Sequence, residues 1–372
     1  MKTSLLPAAA ALLLAGTACD SRPAAATPEP IRLIVETDMG NDIDDALAFD
    51  LIYKAMDDGR VDLLAIGNHK LSPTATDYID ILNTWYGYPD IPLAQSPTPV
   101  LNDHAPDYTA AVCAMTREDG SPAFARSKTP EQIEGIRESC KINVAVLDYV
   151  AEHIKAGVTT EEIDQWVYDF TTKHGGIPAP LNYEGFPKSV CTSINNVICH
   201  GIPSENEILI DGDIINVDVS TILNGYFSDA SRMFTIGDVS PEAERIVRVT
   251  KECVELGLKA AKPWGHLGDI AYAINSHAQE NGYSVVEEIG GHGIGLEFHE
   301  EPFVSYVTPK GSEMVLVPGM MFTIEPMINQ GSPEFYVDED NGWTVYTDDD
   351  GLSAQIEYMV LIKEDGVEVL TK

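Results

Sequence analysis

With 372 residues the chain is long enough for about two domains, and a hydrophobic content of 44% suffices for a sizeable core. Its 23 Lys+Arg against 59 Asp+Glu give a net charge of -36, which argues against nucleic acid or an anionic membrane surface as partner, because both would be repelled. So many carboxylates can hold metal ions, although a solvated acidic surface accounts for most of them.

The N-terminus reads as a targeting segment. Lys2, the apolar run from Leu5 to Ala15 and the small residues before Cys19 suit export, and the run is too short to span a bilayer. Residues 1–19 resemble a bacterial lipoprotein signal, with Gly16 where that family usually has leucine. The resemblance implies a lipid anchor at Cys19 and a place in the cell envelope. Residues 20–30, rich in Pro and Ala, form a tether. The six cysteines show no CxxC spacing, so no disulfide scaffold is expected. Cys113, Cys140, Cys191, Cys199 and Cys253 read as buried, reduced thiols.

Residues 31–99 alternate strand "IRLIVE", helix "DDALAFDLIYKAM", strand "VDLLAIG" and helix "TATDYIDILNTWYG". This β-α-β-α rhythm predicts the start of a parallel sheet. The rhythm then stops. Residues 100–126 read as a linker rich in turn formers, and residues 127–372 form a second unit of different character. Two helices open it, the first capped by Thr129 and the second by Thr159 or Thr160, with Gly157 and Gly175 as stops. Hairpin-rich β segments then alternate with further helices, an α+β mix.

"DIINVDVSTILNGYFSDASRMFTIG" holds Asn224-Gly225 between two alternating, β-branched runs, a strong hairpin signal. With those two residues as the loop, Leu223 pairs with Tyr226 and Ser220 with Asp229, so Asp218 lies diagonal to Asp229 on the same face. Two carboxylates side by side repel unless a cation lies between them; the alternative is a pair of solvated aspartates on an exposed hairpin. Glu325 in "MMFTIEPMIN" and Glu357 in "SAQIEYMVLI" are each set among apolar residues, where a carboxylate is costly unless paired or metal-bound.

"GGHGIGLEFHEEP" places His292 and His299 seven apart among glycines that disfavour a helix. A bent, glycine-relaxed strand or loop is the expected carrier, with the bend sending the two rings in different directions. Adding His292 to the acids makes a shell of two Asp, two Glu and one His. Such a set suits a pair of divalent ions bridged by carboxylates and not a structural zinc site built from thiolates.

From about Thr129 to the C-terminus the chain resembles the type I methionine aminopeptidases, through "FPKSVCTSINNVICHGIP", "DGDIINVDVSTILNGYFSDASRMF", "GGHGIGLEFHEEP", "VLVPGMMFTIEPMIN" and "WTVYTDDDGLSAQIEYMVL". The resemblance implies an α+β pita-bread catalytic domain, and a monomer that acts on peptides or proteins with an N-terminal methionine. It implies that Asp218, Asp229, His292, Glu325 and Glu357 hold two divalent metal ions (Co, Mn, Fe or Zn), with Asp229 and Glu357 bridging both. A hydroxide bridged by the two ions would then attack the peptide bond. Glu325 would take the proton of the attacking water, His299 would hold the carbonyl oxygen and His200 would contact the scissile nitrogen. Tyr183, Phe186, Cys191, Phe298 and Trp343 match the family's methionine pocket, and Pro180 stands where relatives commonly carry cysteine.

"ETDMGNDIDDALAF" resembles the first, aspartate-rich motif of the inosine-uridine nucleoside hydrolases, with two extra residues before the acid pair. That resemblance implies calcium ligation by Asp38, Asp44 and Asp45, as a vestigial site. It covers only the first quarter of such an enzyme and the remaining metal ligands have no counterpart, so this incomplete α/β fragment is expected to lack hydrolase activity and to bury little core. The chain thus looks like a joining of two unrelated genes. Alternative readings are a pita-bread dipeptidase or Xaa-Pro aminopeptidase and, of another class, a calcium-dependent nucleoside hydrolase or binding module. Removal of initiator methionine is usual in the cytoplasm, which stands against the export signal.

Overall fold

The structure is a computed structural model that describes residues 30–37, 39, 44–70, 73–95, 109 and 128–372. The signal, most of the linker, Cys113, Asp38 and the side chain of Asp44 therefore lie outside the described residues. The lipid anchor falls there too, as does the calcium site read from the sequence except for Asp45, which is half-buried near the start of the first helix. Among the described residues, no helix is long and apolar enough to cross a membrane.

In the first unit the strands Ile31–Thr37, Val61–Asn68 and Leu93–Gln95 form a parallel sheet in that order. Helices α1 (Asp44–Asp57) and α2 (Pro73–Trp85) connect them. The third strand corrects the expectation of two. At three residues it is too short to show a period in sequence. The expectation of little core is also corrected: Phe49, Tyr53, Leu63, Ile66 and Ile79 are buried together. Tyr53 stacks on Tyr86 with ring centroids 4.5 Å apart and donates to Asn83 Oδ1 at 2.6 Å. Ile31, Ile34, Leu47, Leu51 and Trp85 remain exposed, as befits so few strands.

Residues 128–372 form the α+β unit. Helix α3 (Pro130–His153) starts at Thr129, whose hydroxyl accepts from the Gln132 amide while the Gln132 side chain accepts from the Thr129 amide. Helix α4 (Thr160–Lys173) repeats the device with Thr159 and Glu162. This decides between the two candidate caps, since the hydroxyl of Thr160 is engaged with Ser204 and Glu207 instead. Apolar positions at helical spacing, Val146, Leu147 and Val150 of α3 with Ile163 and Val167 of α4, pack on Ile215, Val217, Val219 and Ala230 of the sheet. A second pair, α5 (Pro241–Ala260) and α6 (Leu267–Glu280), places Ile246, Val249, Val254, Ile270 and Ile274 against Phe322, Ile324, Val360 and Ile362.

The sheet order positions the site. Its strands run Glu300–Val304, Gly291–Gly293, Met321–Ile324, Glu357–Lys363, Tyr226–Thr235, Ile214–Leu223 and Ile177–Pro178. All these neighbours are antiparallel. The hairpin at Asn224-Gly225 has the register expected from the sequence, with Leu223 opposite Tyr226 and Ser220 opposite Asp229. Asn224 has φ 53 and Gly225 φ 86, the left-handed pair that this two-residue turn demands.

Candidate metal centre and substrate cavity

Five adjacent strands each bring one side chain to the same place. His292 is on Gly291–Gly293, Glu325 directly follows Met321–Ile324, Glu357 opens its strand, and Asp229 and Asp218 sit on the two arms of the hairpin. Ligand atoms of Asp229, His292 and Glu357 all lie within 4.8 Å of one another. His292 Nε2 is 3.7 Å from Glu325 Oε1 and 3.9 Å from Asp229 Oδ2.

The protonation of this cluster argues for a cation. His292 Nδ1 lies 3.0 Å from the Gly293 carbonyl, which only accepts, so Nδ1 carries the hydrogen. In the neutral ring Nε2 is then a lone pair aimed at two carboxylates. Burial, reinforced by His299, pushes the His292 pKa down to about 3, so the ring stays neutral. Burial also lifts Asp218 to about 6 and Glu325, next to Asp218, to about 8. Asp229 and Glu357 are raised well above the usual carboxylate range by burial and then by their acidic neighbours. Asp218 Oδ1 and Glu357 Oε1 are buried without a hydrogen-bond partner in the structure. A lone pair and orphaned carboxylate oxygens converging in one buried spot are the donor set of a divalent metal. The residues present fit such ions.

A further set of side chains, not singled out in the sequence, fixes the acids. Ser220 Oγ donates to Asp229 Oδ1 at 2.8 Å, Thr323 Oγ1 to Glu325 Oε1 at 2.5 Å, and Gln355 Nε2 to Glu325 Oε2 at 2.9 Å. Each lies two residues from an acid on a strand: Ser220 after Asp218, Thr323 before Glu325, Gln355 before Glu357. Strand alternation puts Ser220 on one face with Asp218 and Thr323 on one face with Glu325, whereas Gln355 ends the strand before the one that Glu357 opens.

The cluster opens into a cavity of about 850 Å³. His299 and His200 line it, as do all five residues matched to the methionine pocket. Phe186 meets Trp343 edge-on with centroids 5.3 Å apart, and Tyr183 meets Phe298 likewise at 4.9 Å. Cys191 is joined by Cys199 and Met327, which the sequence reading had not placed there. Both thiols are raised well above their usual pKa by burial and nearby acids, so they stay neutral. All four described cysteines are free and buried, as expected. Asp77 and Ile81 of α2 also line the cavity.

His292 Nε2 faces Asp229 and Glu325 while His299 Nδ1 faces the Tyr183 hydroxyl, yet the two rings stay close, with centroids 4.3 Å apart and planes inclined by 56°. The chain folds back after Gly295, so that Gly293 pairs with Glu300 and His292 with Phe303, which returns His299 to the cavity that His292 borders. His200 sits at φ 56, and burial together with His299 lowers its pKa to about 4.

Comparison with known proteins agrees with this geometry. Residues 134–364 match the model of metallopeptidase family M24. Methionine aminopeptidase A of Synechocystis sp. is 50% identical over 240 residues, which are 64% of this chain and 94% of that protein. The methionine aminopeptidase of Escherichia coli is 44% identical over 245 residues, covering 66% of this chain and 92% of its own. Among solved structures, methionine aminopeptidase from Rickettsia prowazekii superimposes with a TM-score of 0.66 at 42% identity, over 67% of this chain and 100% of the other. Prolidase from Pyrococcus furiosus matches at 22% identity and a TM-score of 0.53, over 87% of this chain and 79% of its own, a likeness of fold alone. Five converging acidic and imidazole side chains on a pita-bread sheet, a family model spanning most of the second unit and relatives covered almost end to end lead to one conclusion: the chain belongs to metallopeptidase family M24, as a member of its methionine aminopeptidases.

Proposed function

We infer that residues 128–372 hydrolyse the peptide bond after an N-terminal methionine. The observation that carries this reading is a buried cluster of four carboxylates and one neutral imidazole, opening directly into an aromatic and sulfur-lined slot. An unbranched thioether suits such a slot. Asp218, Asp229, His292, Glu325 and Glu357 would hold two divalent ions, and manganese, iron, cobalt and zinc all suit these ligands. When bound, such ions lower the pKa of water and polarise a carbonyl.

The chain's own residues supply the rest. Glu325, held by Thr323 and Gln355, takes the proton from the attacking water. His299 donates to the carbonyl oxygen as negative charge grows there. His200, neutral at working pH, faces the scissile nitrogen. Tyr183, Phe186, Cys191, Phe298 and Trp343 bind the methionine side chain.

Methionine release from a Met-Ala-Ser peptide tests the reading. The expected result is release that is abolished by a chelator and by His292→Ala. Equal release in all three samples would overturn it.

For the first unit we propose a nucleoside hydrolase remnant without hydrolase activity, because the later metal ligands of that family have no counterpart. Hydrolysis of inosine by the purified protein, lost in Asp44→Ala, would refute this. We also propose export and lipidation at Cys19. Recovery of the protein in the soluble fraction, without label from a radioactive fatty acid, would overturn that.

A further inference from the structure

We propose that Lys128 is a positioning residue for His299, acting through the carboxylate of Glu300. The inference rests on the reading of His299 as the group that holds the carbonyl oxygen.

The loop from Gly295 to His299 carries Leu296, Glu297, Phe298 and His299 along the cavity wall. It is clasped from below. Glu300 Oε1 accepts the Leu296 amide at 2.6 Å and the Glu297 amide at 2.9 Å. Its other oxygen pairs with the ammonium of Lys128. The Lys128 side chain is 1% exposed and that of Glu300 12%, so this is an interior ion pair, not a surface one.

Lys128 is held by a different part of the fold. Its amide donates to the Gly319 carbonyl at 2.8 Å, and the next residue, Thr129, caps the 24-residue helix α3. The lysine stem runs beneath Gly295: a Cβ built there would lie 3.2 Å from Lys128 Cε and 2.5 Å from Ile136 Cδ1. Gly295 also has φ 133, so the loop can settle onto the lysine only with a bare residue at this point. The ion pair thus ties the loop to the helical layer.

Without the ammonium, a largely buried carboxylate loses its counter-charge and turns toward water. The Leu296 and Glu297 amides then lose their common acceptor two to three residues ahead of His299. The His299 ring packs on Phe298 of the same loop, centroids 4.4 Å apart, so both aromatic faces would move together. Misplacement of a catalytic group by about 1 Å costs roughly a hundredfold in rate.

The test compares Lys128→Met, Lys128→Arg and the double variant Lys128→Met/Glu300→Gln with the unmodified, metal-loaded full chain. Lys128→Met is expected to lower kcat for Met-Ala-Ser roughly ten- to a hundredfold, with a smaller rise in KM because Phe298 moves with His299. Lys128→Arg recovers most of that loss, and the double variant is no slower than Lys128→Met, since the two groups act as one. Hydrogen exchange at the Leu296 and Glu297 amides is expected to speed up in Lys128→Met while the amides of the 214–235 hairpin keep their protection. An unchanged kcat in folded Lys128→Met, or exchange accelerated equally in loop and hairpin, would overturn the proposal. The exchange measurement needs no turnover, so a chain that cleaves no peptide would sink the functional reading and leave the clamp to be judged on amide protection.

Discussion

The hydroxyl of Tyr183 lies 2.9 Å from Nδ1 of His299, although 116 positions separate them in sequence. Burial, followed by the charges of Glu184 and Glu297, raises the tyrosine pKa, so the hydroxyl keeps its proton and can donate it. Donation to Nδ1 places the ring hydrogen on Nε2, the form able to donate to a carbonyl oxygen. Tyr183→Phe releases that constraint. The expected outcome in steady-state kinetics is a kcat lowered by roughly tenfold or more with KM for Met-Ala-Ser nearly unchanged, the pattern of an interaction made in the transition state. An unchanged kcat would show that the ring holds its tautomer without the phenol.

The cluster of buried acids makes the stability of the metal-free protein depend on pH in an unusual direction. Glu325 is raised to about 8 in the fold, and Asp229 and Glu357 well above their usual range. The folded protein therefore binds more protons than the unfolded chain between pH 6.5 and 8, and stability falls as pH rises through that window. His200 and His292, lowered to about 4 and about 3, are neutral in the fold throughout it and add little above an unfolded value of about 6.5. Melting curves of chelated protein are thus expected to show a lower Tm at pH 8 than at pH 6.5. Excess manganese or cobalt should reverse the slope, because a divalent ion favours the ionised carboxylates.

Removing one acid separates the two demands on this cluster. Asp218→Asn keeps the size of the side chain and removes a charge that raises Glu325, Asp229 and Glu357. Chelated Asp218→Asn is expected to melt above the unmodified chelated protein at pH 8, while methionine release falls by more than roughly a hundredfold with the loss of a proposed ligand. Loss of activity together with a lower Tm would mean that Asp218 serves the fold more than the site.

Much of the site was legible because two rules of strand geometry reach beyond neighbours in sequence. The Asn224-Gly225 turn fixed the hairpin register, and with it the shared face of Asp218 and Asp229. The cost of burying Glu325 and Glu357 marked them as paired or ligating. The same alternation would have found Ser220 and Thr323, each two residues from an acid, had it been applied to every acid. What stayed hidden depends on the order of strands in the sheet. Nothing local to Lys128 announces Glu300, which lies 172 positions away, and the return of His299 beside His292 needs the pairing of Gly293 with Glu300. In the first unit, the strand Leu93–Gln95 carries too few residues for a pattern. Its place is set by Val61–Asn68, to which it pairs.

Gly201 offers a test of how the turn after Cys199 sets His200. The glycine has no positive φ; its constraint is space. A Cβ at this position would lie 1.9 Å from the Thr192 carbonyl oxygen and 2.8 Å from its carbon, and the Thr192 amide donates to the Gly201 carbonyl at 2.9 Å. Backbone cannot turn aside as a flexible side chain can. Gly201→Ala must therefore push apart the strand Cys191–Ile194 and the turn bearing His200, which together form one wall of the cavity. The strain is expected to cost about 1–3 kcal/mol of stability. Because Cys191 and His200 move relative to each other, kcat/KM should fall even at temperatures where the variant is fully folded. A variant that melts lower yet cleaves Met-Ala-Ser at the original rate would show that the wall yields without displacing His200.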